Sequence, residues 1–227
     1  MNLQRGLVGH YVTPGSIGDT VLHDETGNDY HATGGTVTTD PNGVIDTAVL
    51  QDGLDATTNA PAIKDAIEAA MFTVAVWWRQ DLHNNAQDWR DLIKWNDGST
   101  KQAVKRLERS NADESPNSDY WCNFGMEPTT TKGSMASSDI GVAGGEWFHL
   151  TIIVDGDADS FRILVNAEVD QIGTVDTAEI NRPISDIRIG PDDGGAAFED
   201  LRFYNRVLSN GEADALVNQR SAQVMRV

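Results

Sequence analysis

The sequence predicts an all-β fold, two antiparallel sheets packed face to face as a sandwich with one or two short helices, and three observations carry that prediction. Apolar residues alternate with polar ones over short runs, those runs are separated by clusters of Gly, Asn, Asp and Thr, and glycine is frequent, at 21 of 227 residues. Strands that are apolar on one side need a second layer to cover them, which selects a sandwich over a single open sheet. With neither a linker nor an internal repeat in view, one domain over residues 1–227 is expected.

Taken in order, Gly6 to Tyr11 reads as the first strand, and Thr13 to Gly18 supplies Pro and Gly for a turn. His23 to His31 is a polar loop. Strands are expected over 35–39 and 47–50, joined by Asp40-Pro41-Asn42-Gly43. Ala60 to Ala70 is rich in good helix formers with Pro near its start, so it is predicted helical. Met71 to Arg79 is the clearest strand, with Phe72, Val74, Val76 and Trp78 on one face. Three strands follow near 91–95, 102–109 and 119–126, then a hairpin of 147–154 with 160–165 and two strands at 184–189 and 198–204. Leu208 to Asn218 is predicted helical, with Ser209 as N-cap and Glu212 completing a capping box. Trp77, Trp147 and Phe161 are the candidate core aromatics.

Charge narrows the function. The chain has 35 acidic and 17 basic residues, a formal net charge of -18, with 25 Asp to 10 Glu and 12 Arg to 5 Lys. Such a surface repels nucleic acid and anionic membranes, and the only basic cluster, Lys101 to Arg109, reads as a solvated strand face. Dense carboxylates repel one another in dilute buffer, whereas molar salt shortens the Debye length to about 3 Å, so the composition reads as halophilic, with an ordinary acidic mesophilic protein as the alternative. The lone Cys122 excludes an internal disulfide and is expected to be a buried small hydrophobe. No apolar run long enough to cross a membrane is present, and the N-terminus lacks the apolar stretch of a secretory leader, so synthesis in the cytoplasm is expected.

Several strings then resemble the laminin-G-like jelly-roll family of the concanavalin A-like lectin and glucanase superfamily. They are Gly6 to Tyr11 with Asp24-Glu25-Thr26-Gly27-Asn28, Ala48 to Gly53, Phe72 to Trp77, Trp147 to Leu150 with Asp155-Gly156, and Phe198 to Ser209. Val165-Asn166-Ala167 stands where the family usually has Val-Asn-Gly. The resemblance implies a jelly-roll sandwich. It also implies a structural calcium ion, held by Asp24, Asn28 and Asp200, with Glu199 where the family has a shorter Asp. Trp89, Trp95 and Trp121, near predicted loops, are the candidates for stacking on a sugar ring. Cleaving members carry Glu-x-Asp-x-Glu on one strand, and the nearest string here, Glu168-Val169-Asp170-Gln171-Ile172, lacks the last carboxylate, so no enzymatic activity is expected. His10, His23 and His31 make a poor zinc set, and Asp155 to Asp159 lacks the downstream Glu of an EF-hand loop.

The expected role is a binding or assembly module. The first reading is a virion component of a virus of a halophilic host, a capsid decoration, turret or tail protein that forms a homo-oligomer or meets other virion proteins and engages surface glycans. The second is a calcium-dependent carbohydrate-binding module of a cell-surface protein, and the third a glycoside hydrolase.

Overall fold

A computed structural model describes residues 2–12, 20–50, 54–80, 92–96, 101–103, 107–109, 120–126, 136–139, 145–174, 183–190 and 196–224. The strands in chain order are β1 (Leu7–Tyr11), β2 (Val21–Leu22), β3 (Ala32–Gly35), β4 (Thr38–Asp40), β5 (Ala48–Leu50) and β6 (Leu54–Thr58). Helix α1 (Pro61–Glu68) follows, then β7 (Met71–Gln80), β8 (Ile93–Asn96), β9 (Lys101–Ala103), β10 (Leu107–Arg109), β11 (Tyr120–Met126) and β12 (Ala136–Asp139). The chain continues with β13 (Trp147–Asp155), β14 (Ser160–Val165), β15 (Glu168–Thr174), β16 (Asp186–Ile189), β17 (Ala196–Tyr204) and helix α2 (Asn210–Val224).

Among the described residues the strands form two antiparallel sheets. The first runs β15-β14-β13-β7-β17-β5-β4 with β1 also on β17, and the second runs β10-β11-β9-β8-β16-β6-β3-β2 with β12 on β11. Between them lies the core predicted by alternation: Phe72, Val74, Val76 and Trp78 of β7 share the inner face of the first sheet with Phe148, Ile152, Phe161, Ile163, Phe198 and Phe203, in one buried cluster that Trp95 and Ile187 join from the second sheet. Each large aromatic removes on the order of 150–250 Å² from water. Helix α1 plugs one end with Ile63 and Ile67, and Gly9 is what lets it approach, since a Cβ there would lie 2.7 Å from the Ile63 side chain.

Sequence reasoning merged or missed several strands. The run expected over 35–39 is two strands in opposite sheets, because Gly34 and Gly35 have positive φ of 120° and 66° and turn the chain between layers. The run expected over 102–109 contains β9 and β10, and residues 104–106 lie outside the described set, as do the side chains of the basic cluster and of Cys122. Strand β15 escaped because its sequence, EVDQIGT, is polar and largely exposed on the sheet edge, with no buried face to produce alternation.

The outer face of the first sheet is also covered. Ala213 and Leu216 of α2 pack with Ala75, Ile153, Leu164, Tyr204 and Leu208 as a second apolar cluster. The capping box predicted at its start is present: the Glu212 N–H donates to Ser209 Oγ at 3.2 Å, and the Ser209 N–H donates back to Glu212 Oε2 at 3.0 Å. Arg206 grips the same Glu212 with two bonds of 2.7 and 3.0 Å, and that pairing holds the carboxyl at about 2, well below its ordinary range.

One aromatic assignment is corrected and another is placed by this arrangement. Trp77 is buried as expected, on the outer face of the first sheet, where its ring meets His149 edge to face at 5.1 Å. Trp147 is half-buried, its Nε1 donating to the Asn42 carbonyl at 3.0 Å and its face covered by Arg79 at 5.0 Å. Both placements follow from strand parity: on β7 the inner positions are even-numbered, and Trp147 pairs with the outward Arg79.

Candidate binding site where one strand changes neighbours

Strand β17 has two partners on the same side. Ala197 and Phe198 pair with β5, while Leu201 to Tyr204 pair with β1, and Glu199-Asp200 fall at the handover. On the opposite side the register with β7 slips at the same place, from Glu199↔Trp77 to Arg202↔Ala75, so β17 carries one extra residue. This β-bulge keeps both Phe198 and Leu201 in the core and sends two successive carboxylates outward. Asp200 takes the extra position in the left-handed region, at φ 57°. A buried non-glycine residue in that region inside a strand is strained, and such strain persists where the surroundings over-determine it, often at functional sites.

A cavity of about 280 Å³ opens at this seam, lined by His10, Val12, Ile45, Asp46, Thr47, Glu199, Asp200, Arg202 and Gln219. Its floor is an ion cluster. Asp200 Oδ1 accepts from His10 Nε2 at 2.6 Å and from Arg202 Nε at 2.8 Å. An ionised carboxylate only accepts, so Nε2 carries the histidine proton. Burial opposes ionisation of Asp200, but the His10 hydrogen bond and the Arg202 charge outweigh it and hold the carboxyl below its usual range. Burial likewise opposes the charge on Arg202, and the adjacent Asp200 reverses the balance and raises its pKa. Among the described residues Asp200 Oδ2 has no partner, and the Nη groups of Arg202 take no part in its bond to Asp200.

Glu199 builds the wall. Its carboxylate accepts the backbone N–H of Val44 at 2.6 Å, of Ile45 at 3.0 Å and of Asp46, fixing the loop before β5. Gly43 allows that loop to fold so tightly, because a Cβ there would lie 2.2 Å from the Asp46 carbonyl and 2.9 Å from Glu199 Oε2. The far end of the loop is tied by Asp40, which takes Arg79 at 2.6 Å and the Asn42 N–H at 2.8 Å.

Residues 52–213 match a laminin-G family model described as the concanavalin A-like lectin/glucanases superfamily. The chain belongs to that superfamily. No curated protein matches it in sequence. Among solved structures it is similar to the binding domain of Paraclostridial Mosquitocidal Protein 1, with a TM-score of 0.65, 16% identity, and coverage of 96% of this chain and 53% of that one. It is similar to the binding domain of Botulinum Neurotoxin DC in complex with SialylT, at 0.63, 15%, 96% and 52%. It is also similar to Domain 4 of AbnA, a GH43 extracellular arabinanase from Geobacillus stearothermophilus, in complex with arabinotriose, at 0.63, 17%, 93% and 98%. The chain thus spans about half the length of the toxin binding domains it matches, and at these identities the likeness is one of fold.

The residues that the superfamily resemblance singled out fare differently. Asp24 caps its own loop, accepting the N–H groups of His10, Thr26 and Tyr30 at 2.9, 3.1 and 3.2 Å. Asn28 is exposed and bonds Thr26 at 2.8 Å. Glu199 is taken by three N–H groups and Asp200 by His10 and Arg202, and no cluster of three or more His, Cys, Asp or Glu suited to a metal occurs among the described residues. His23 and His31 meet at 4.9 Å, but His10 turns away to Asp200. Trp95 is corrected as a sugar platform: it is fully buried in β8, edge to face with Phe72 at 6.0 Å, leaving no ring face for a ligand. Trp89 and the Trp121 side chain lie outside the described residues. Asp155 to Asp159 form a tight hairpin turn, the Ala158 N–H donating to Asp155 Oδ1 at 3.2 Å. For chemistry, Asp200 is held as the anion, the opposite of what a glycosidase general acid needs.

Proposed function

We propose that the chain is a non-catalytic module that binds surface glycans at the cavity between β1 and β5. The observation that carries the reading is the seam itself: a strained, buried Asp200 paired with Arg202 and His10 at the base of an open pocket, with Asp200 Oδ2 left unpaired among the described residues. Support comes from the company the fold keeps, since the similar toxin domains are named as binding domains and the similar arabinanase domain is in complex with arabinotriose. A glycan array run in high salt, with and without chelator, is the test. Retention of at least one glycan class, unchanged by chelator, is expected; no retention of any glycan overturns the reading, and loss on chelation restores the calcium-dependent alternative.

The setting we propose is the surface of a virus particle of a halophilic host, and the net charge of -18 is the observation that favours a high-salt environment. Among the described residues no helix is long and apolar enough to cross a membrane. Mass measurement of the chain in high salt tests the homo-oligomer such a setting implies.

A further inference from the structure

We infer that the cavity takes an uncharged sugar through two neighbouring hydroxyl groups, one donating to Asp200 and the other accepting from Arg202. The inference rests on the glycan-binding reading and goes on to the class of glycan. The floor offers an acceptor, Asp200 Oδ2, and the Arg202 side chain lines the same cavity, its Nε bonded to Asp200 Oδ1 and its guanidinium shared with Tyr204, which leaves further N–H donors of its five. A vicinal diol supplies one donor and one acceptor side by side. A ligand carboxylate brings acceptors only and an ammonium donors only, so each leaves half of the buried pair unmatched, the costly outcome for a desolvated polar group. Charge points the same way. Arg202 is already neutralised by Asp200, the remaining lining carries Glu199 and the exposed Asp46, and His10 Nε2 is spent on Asp200. Sialylated, uronic or sulfated sugars therefore meet a negative wall even where salt screens the rest of the surface. At about 280 Å³ the cavity falls just below the usual range of ligand pockets, roughly 300–1,000 Å³, which suits one monosaccharide ring and nothing larger. No apolar aromatic ring lines it among the described residues, so affinity comes from hydrogen bonds and a Kd on the order of 1 mM is expected.

The test is an amide NMR titration of the full chain in molar KCl with methyl mannoside, its 3-deoxy analogue, which keeps no two neighbouring hydroxyls, methyl glucuronide, sialic acid and glucosamine. The neutral glycoside is expected to shift the amides around His10 and Asp46, the deoxy sugar to bind about tenfold more weakly or worse, and the charged sugars to bind more weakly than the neutral one. Filling the pocket from either wall, with Val12→Trp or Gln219→Trp, is expected to abolish the shifts, while Ile172→Ser, on the far edge of the same sheet, leaves them unchanged. A thermal melt of each variant separates misfolding from blocked binding. Tighter binding of an acidic or amino sugar overturns the inference while glycan binding stands, as does retained affinity in both Trp variants. Binding of none of these sugars by a chain that retains other glycans on the array also overturns it, whereas silence in both assays sinks the underlying reading.

Discussion

His149 shows what burial does to a single group on the outer face. It is 2% exposed, edge to face with Trp77, and desolvation pulls its pKa down to about 4, Asp200 only partly offsetting this. The unfolded chain takes up that proton as pH falls through about 6.5, whereas the folded chain resists until near 4. Stability contributed by the neutral ring is therefore fully present above about pH 6.5 and is lost on acidification between the two values, by about 3 kcal/mol in all. Urea unfolding between pH 6.5 and 5 checks this, and in His149→Gln the slope over that interval is expected to shrink by about one proton's worth, 1.4 kcal/mol per pH unit. The sequence showed the chemical types at the candidate site but not their engagements. Glu199 and Asp200 read as an acidic pair open to a cation, because a bulge leaves no trace in alternation; one extra residue at the handover turned one toward a loop and the other toward Arg202.

At the level of elements, two local signals were legible and lead to opposite predictions. The Ser209–Glu212 capping box was visible because it depends on residues three apart. Ser209→Ala is expected to cost about 1 kcal/mol by thermal or chemical unfolding. The β14–β15 hairpin is joined by Asn166 and Ala167, both with positive φ, 50° and 71°, as a two-residue turn of the mirror-image type demands. Alanine is a poor choice for the second of these, so Ala167→Gly is expected to stabilise the protein by about 1 kcal/mol. A lower midpoint in that variant would mean that the turn relaxes elsewhere. Elements lacking a buried face, such as β15, carried no periodic signal, and the end of β3 was fused with β4 because the glycines that close β3 look like ordinary residues of one run.

Across the whole molecule, the two-sheet architecture was legible because it follows from alternation along long central strands such as β7 and β13. Which strands are neighbours was not, since partners such as β1 and β17 lie almost the full chain apart and short-range pattern is silent about them. The surplus of carboxylates makes one prediction at this scale. Raising KCl from about 0.1 M to 1 M shortens the Debye length from about 10 Å to 3 Å, and the melting temperature is expected to climb with it; a melting point indifferent to salt would show that the surface charges are already compensated. The shared flank of β17 has an evolutionary consequence. One bank of the recess is supplied by the stretch around position 10 and the other by the stretch around position 46, so either can be re-lettered by mutation without disturbing the other, and new specificities can be sampled one bank at a time on an unaltered foundation.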